Sequence, residues 1–216
     1  MESGLLRELA EKAITKEELL KLVESNFELL PLVISGVGSS KAAVRYSCAK
    51  VLVDLSKRQP QKMYKYMDFF VSLLNSKYRI LIWNALAAIG CLSAVDVDRK
   101  FDQVFEKYYE LLNDEYMVTV ANVVGNSAII ALSKPYLAHR ITEEILGVDK
   151  IAITPHLTNE CKRVIAETAI ETFDEYYDRI DDEDKMKVIS FVKKYAKSSR
   201  VSLKRKACAF LKRWCP

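Results

Sequence analysis

Glycine and proline are scarce in this chain, six and five among 216 residues. With so few turn-formers, and no Ser/Gly-rich or low-complexity run, nothing marks a linker between independent domains, so a single domain over residues 1–216 is expected. No apolar stretch approaches the roughly 18 residues that a membrane-spanning helix needs. The start, Met1-Glu2-Ser3-Gly4, lacks the basic and apolar regions of a signal peptide. A cytoplasmic protein with no membrane partner is therefore expected. The five cysteines, Cys48, Cys91, Cys161, Cys208 and Cys215, are odd in number and form no C-x-x-C pair. That argues against a disulfide framework and for small buried hydrophobes. No Cys/His cluster has ligand spacing. Also missing are G-x-x-x-x-G-K-S/T, G-x-G-x-x-G, H-E-x-x-H and the nucleophile elbow, so no catalytic residue, metal or cofactor is expected.

What the chain has instead is a repeat. Leu73-Leu74-Asn75-Ser76-Lys77-Tyr78 and Leu111-Leu112-Asn113-Asp114-Glu115-Tyr116, with Asn84 and Asn122 beyond them, share five residues at a spacing of 38. A period of that size points to stacked helix pairs. Before the shared turn, Met63, Met67, Phe70, Leu73 and Leu74 align with Phe101, Phe105, Tyr108, Leu111 and Leu112, which predicts one apolar face on a first helix. Asn75 and Asn113 are placed to cap the second helix, which is apolar nearly all round (Ile80, Leu81, Ile82, Trp83, Ala85, Leu86) and so should be the buried one.

The same frame extends outward. Ser39-Ser40-Lys41-Ala42-Ala43-Val44-Arg45 is similar to Ser198-Ser199-Arg200-Val201-Ser202-Leu203-Lys204, and a further unit falls at Cys161-Lys162-Arg163-Val164-Ile165-Ala166. Thr15-Lys16-Glu17-Glu18 is a capping box. The expected fold is all-α, a right-handed α-solenoid of about five helix pairs near 26–57, 61–93, 99–133, 135–178 and 183–215, preceded by a helical cap over 1–24. The chain resembles the HEAT-repeat, armadillo-type proteins, whose second helix typically opens with a Val-Arg pair and small residues, as Val44-Arg45-Tyr46-Ser47-Cys48-Ala49 does. Ile80-Leu81, Val118-Thr119 and Cys161-Lys162 depart from that pattern, and the subfamily stays open. The resemblance covers almost the whole chain. It implies a family of scaffolds, tubulin-binding and transport proteins, lyase-like proteins and alkylpurine DNA glycosylases.

Three features compete as sites. Residues 185 to 216 carry eleven Lys or Arg and no Asp or Glu, so the net +4 is a body of −7 joined to an end of +11. Lys204, Arg205, Lys206, Lys212 and Arg213 form a basic patch suited to phosphate or an acidic partner, or simply a solvated terminal face. An acidic stretch from Glu171 to Asp184 lies just upstream and can neutralise part of it. Asn84 and Asn122 take equivalent positions on successive second helices, with Asn126 one turn on. In armadillo arrays such asparagines hold a ligand backbone; the alternative is a bond that fixes repeat register. The third is the segment Gly147 to His156, which stretches the repeat spacing from about 37 to 43 and holds one of two histidines, the other being His139. With no third ligand or orienting carboxylate evident at helical spacing, a packed loop with incidental histidines is expected.

These features favour a non-enzymatic scaffold binding a protein or peptide, with Asn84, Asn122 and Asn126 as central contacts and Arg45 and Lys162 as flanking cations. The alternative is nucleic-acid binding through the basic end, with a glycosylase-like site needing Trp83 and an acid such as Asp54.

Overall fold

The computed structural model describes residues 4–215; the first three residues of the expected cap and Pro216 lie outside that range. Among the described residues every regular element is helical. No helix among them is long and apolar enough to cross a membrane. The chain divides into two compact units at Asp98 and Arg99.

The first unit opens with α1 (Gly4–Ala10) and α2 (Lys16–Ser25), followed by α3 (Leu30–Gly36), α4 (Ala42–Arg58), α5 (Pro60–Met63), α6 (Met67–Leu73) and α7 (Arg79–Leu92). The capping box is present at α2. Glu18 N donates to Thr15 Oγ1 at 3.1 Å and Thr15 N donates to Glu18 Oε2 at 2.8 Å. Helices α1, α2 and α3 all pack on α4, which packs on α7. The apolar stripe read from the sequence lies inside, with Met63, Met67, Phe70 and Leu74 at most 3% exposed. Gly36 lies against α4 so closely that a Cβ there would stand 2.5 Å from Cys48 Sγ.

The second unit contains α8 (Lys100–Tyr109), α9 (Met117–Ser133), α10 (Ala138–Leu146), α11 (Asn159–Tyr176), α12 (Asp182–Tyr195) and α13 (Val201–Trp214). Helix α9 packs on α11 and α11 on α13, while α10 packs on α12. Phe101, Phe105 and Tyr108 of α8 are buried and meet edge to face. Thr172 of α11 reaches across to donate to the carbonyl of Val124 on α9 at 3.0 Å, a polar link between two apolar helices.

The turns correct one detail. Asn75 and Asn113 are exposed and do not cap the second helices. The residue after each instead closes the turn that leads into the helix. Ser76 Oγ accepts from Tyr78 N at 3.1 Å, and Asp114 Oδ1 accepts from Tyr116 N at 2.8 Å. The same two-residue reach recurs from Ser39 to Lys41 N and from Ser198 to Arg200 N, both at 3.2 Å. A short polar side chain closing its own turn is a local motif that fixes how the chain enters a helix.

The cysteines divide. Cys48 is fully buried, which pushes its thiol up to about 12. Cys91 and Cys161 are half-buried, whereas Cys208 and Cys215 are exposed and are not the core residues expected. Helix α13 packs on α11 and α12 through Leu203, Ala207 and Phe210, and Cys208 lies off that stripe.

Candidate functional site

On α9 the side turned away from the core carries Val118, Asn122, Asn126 and Ile129, spaced by three or four residues and each partly open to solvent. Asn122 Nδ2 donates to the Val118 carbonyl at 2.8 Å and Asn126 Nδ2 to the Asn122 carbonyl at 2.7 Å. Asn84 of α7 does the same to Ile80 at 2.7 Å. All three amides are thus tied to the helix that carries them. The bond between helices weighed from the sequence is not what holds them. Each amide keeps its oxygen and one N–H free for another molecule, and its rotamer is already set.

On α11 the corresponding strip is Val164, Thr168, Glu171 and Glu175. Burial, and then the charges of Glu171 and Asp174, raise the Glu175 carboxyl above the usual range. Beside it a cavity of about 180 Å³ has Ile170, Ala209 and Phe210 as its apolar lining and Glu171, Asp174, Lys206 and Arg213 as its charged rim.

The expected flanking cations are not surface groups. Arg45 is only 6% exposed. Its Nη1 donates to the carbonyls of Ser39 at 2.8 Å and Ser40 at 3.3 Å, and its guanidinium stands 3.8 Å from the Tyr78 ring centroid and 4.7 Å from that of Tyr46. It holds the entry to α4. Lys162 is half-buried and donates to the Asp149 carbonyl at 3.0 Å, pinning the 147–156 segment.

That segment is held at its two ends, by Val148 in the core and by a turn at 154–157, while Ala152, Ile153, Pro155 and His156 are exposed. Leu157 just beyond it is fully buried, Thr154 and Leu157 exchange backbone hydrogen bonds at 3.1 and 3.2 Å, and His156 stacks on Tyr116 at 4.8 Å between centroids. His139 sits elsewhere, with its Nδ1 3.0 Å from Asp184 Oδ2. One statement from the sequence is corrected here, because Glu143 stands one turn after His139 and Asp184 joins them from α12. The i, i+4 spacing of His139 and Glu143 was the overlooked signal; Asp184, 45 residues downstream, left none.

The basic end is largely spent inside the fold. Lys206 pairs with Glu167 at 2.8 Å and with Glu171, and Arg213 pairs with Asp174 at 3.0 Å. Arg200 bonds Glu167 at 2.8 Å and also reaches Glu160. Burial acts to raise the Glu167 carboxyl, but hydrogen bonds from Lys206, Arg200 and Ser202 outweigh it and hold it at about 2. Lys204, Arg205 and Lys212 remain exposed and outside these pairs. Of the two residues a glycosylase-like site needs, Asp54 is engaged by Lys50 at 2.6 Å and Trp83 is half-buried on α7, while the other tryptophan, Trp214, donates to Asp174 at 2.6 Å.

The same fold occurs in solved structures of low sequence identity. A designed armadillo-repeat protein in complex with the peptide (KR)4 aligns over 97% of this chain and 91% of its own, at 17% identity and a TM-score of 0.66. An engineered protein aligns over 97% of this chain and 88% of its own, at 14% identity and a TM-score of 0.56. No family model and no curated protein matches the sequence. At such identities the likeness establishes the fold alone, an all-α helical-repeat solenoid of the armadillo type.

Proposed function

We propose that this armadillo-type solenoid is a non-enzymatic scaffold that holds an extended protein or peptide segment through the open face of α9. The observation that carries this is the pair of pre-set amides on α9, Asn122 and Asn126, each bound to its own helix and each with an acceptor oxygen left over; within the first unit Asn84 on α7 makes the same bond to its own helix. An extended backbone offers N–H and C=O groups at regular intervals, and an amide serves both without reading the side chains. Val118 and Ile129, both more than a third exposed, flank the α9 amides and give apolar area for the ligand to cover. The solved neighbour that holds a (KR)4 peptide supports the same reading. Five free thiols suit a reducing, cytoplasmic setting. A nucleic-acid partner has weaker support, since Arg200, Lys206 and Arg213 are already engaged by carboxylates.

Fluorescence anisotropy with labelled extended peptides, (KR)4 among them, tests the proposal. The double variant Asn122→Ala, Asn126→Ala should bind about tenfold more weakly while its thermal midpoint stays close to wild type, because alanine favours the helix and the lost bonds are local. Equal binding by wild type and variant would remove the asparagines from the site. Peptide binding mapped to the first helices would reject the reading altogether.

A further inference from the structure

We infer that His139, Glu143 and Asp184 form a binding site for one divalent transition-metal cation of the zinc type, with Lys187 as a built-in competitor. The ligand atoms of the three residues lie within 4.8 Å of one another. Zinc holds nitrogen and oxygen ligands at about 2.0–2.2 Å, so neighbouring ligands in a tetrahedron stand roughly 3.3–3.6 Å apart. His139 Nδ1 is already 3.1 and 3.0 Å from the two Asp184 oxygens. Glu143 follows His139 by one turn of α10, on the same helix face. Small side-chain rotations close the set, and one imidazole with two carboxylates is a donor set that such ions accept.

Asp184 supplies the reason to look for a cation. Its side chain is 1% exposed, and among the described residues its carboxylate is within hydrogen-bond distance of His139 alone. A buried carboxylate has room for more than one donor, and leaving it underused is costly.

Lys187 answers the charge only in part. Its ammonium is 2.7 Å from Glu143 and 2.8 Å from Glu183, but 3.9 Å from Asp184. With His139 neutral, three carboxylates face one ammonium, which leaves two negative charges for an incoming dication. Glu183 can keep Lys187 once Glu143 turns to the metal, so loading the site strands no charge. His139 and Glu143 are about half exposed, which gives the ion its way in.

The test is calorimetric titration of the full chain with Zn²⁺, with Co²⁺ as a spectroscopic probe of coordination. Wild type should take up one equivalent, and Co²⁺ should show the intense visible bands of a low-coordinate site. His139→Ala and Glu143→Gln, both at accessible positions, should each weaken uptake by about tenfold or more. Lys187→Met should tighten it, since it removes the competing charge. Circular dichroism on each variant separates lost binding from lost folding. Absence of saturable uptake by wild type, uptake unchanged in both ligand variants, or affinity unchanged in Lys187→Met would overturn the assignment.

Discussion

At the scale of single residues, the charges and close contacts of this protein are mostly committed to structure. Glu167 is the clearest instance, a carboxylate 11% exposed in its side chain that accepts from Arg200, Ser202 and Lys206. Its folded pKa of about 2 lies below the ordinary 4.5, so the stability it contributes is present above about pH 4.5 and is lost as pH falls towards 2. By linkage the loss is about 1–3 kcal/mol. Chemical denaturation at pH 6 and pH 3 should show the decline in wild type and a smaller one in Glu167→Gln. A steric counterpart is Gly36. Adding a methyl group there places it against the Cys48 sulfur, so Gly36→Ala should destabilise by about 1–3 kcal/mol. Cys48→Ala in the same chain should recover part of that; the denaturation midpoints of the two single variants and the double variant read the coupling.

Between elements, stability rests on how each helix is entered. Removing the Thr15 cap in Thr15→Ala should cost about 1 kcal/mol, measurable as a lower midpoint of chemical unfolding. Arg45 does the same work by other means, with two carbonyls and two aromatic rings around one guanidinium. Arg45→Lys keeps the charge but loses the planar stacking and the fork of donors, and should destabilise by about 1–2 kcal/mol. The helices themselves were legible from the sequence because apolar spacing and the 38-residue period are local records of burial. The turn chemistry was read one residue early, at Asn75 and Asn113, because asparagine, serine and aspartate all favour such turns and only the backbone decides which one reaches. Arg45 was misplaced for a related reason. A cation following an apolar residue at a helix start reads as surface, and of the two rings that enclose it Tyr46 is its neighbour on α4 whereas Tyr78 comes from the turn before α7.

On the scale of the whole chain, the separation of charge into an acidic body and a basic end remains true of the sequence but overstates the surface. Of the five patch residues on α13, Lys206 and Arg213 are paired, leaving Lys204, Arg205 and Lys212. Release of counterions by three cations gives a slope near −3 in a plot of log affinity against log salt, against about −10 if all eleven acted. A salt titration with mixed-sequence DNA should therefore show binding that is weak at low salt and shallow in its salt dependence. The candidate face was partly legible, since Asn84 and Asn122 stand out by repeat position, whereas the cluster around Asp184 was not, because nothing in the order of residues announces a contact 45 positions away.

The turns at Ser39, Ser76, Asp114 and Ser198 each bond the backbone two residues ahead, so the closing hydrogen bond of each turn is local. A segment duplicated or deleted between two such turns takes its closure with it. An engineer who cuts and splices at these four points keeps each closing bond, and has to carry along only the contacts that reach outward from the turns, such as Tyr78 on Arg45 and Arg200 on Glu167.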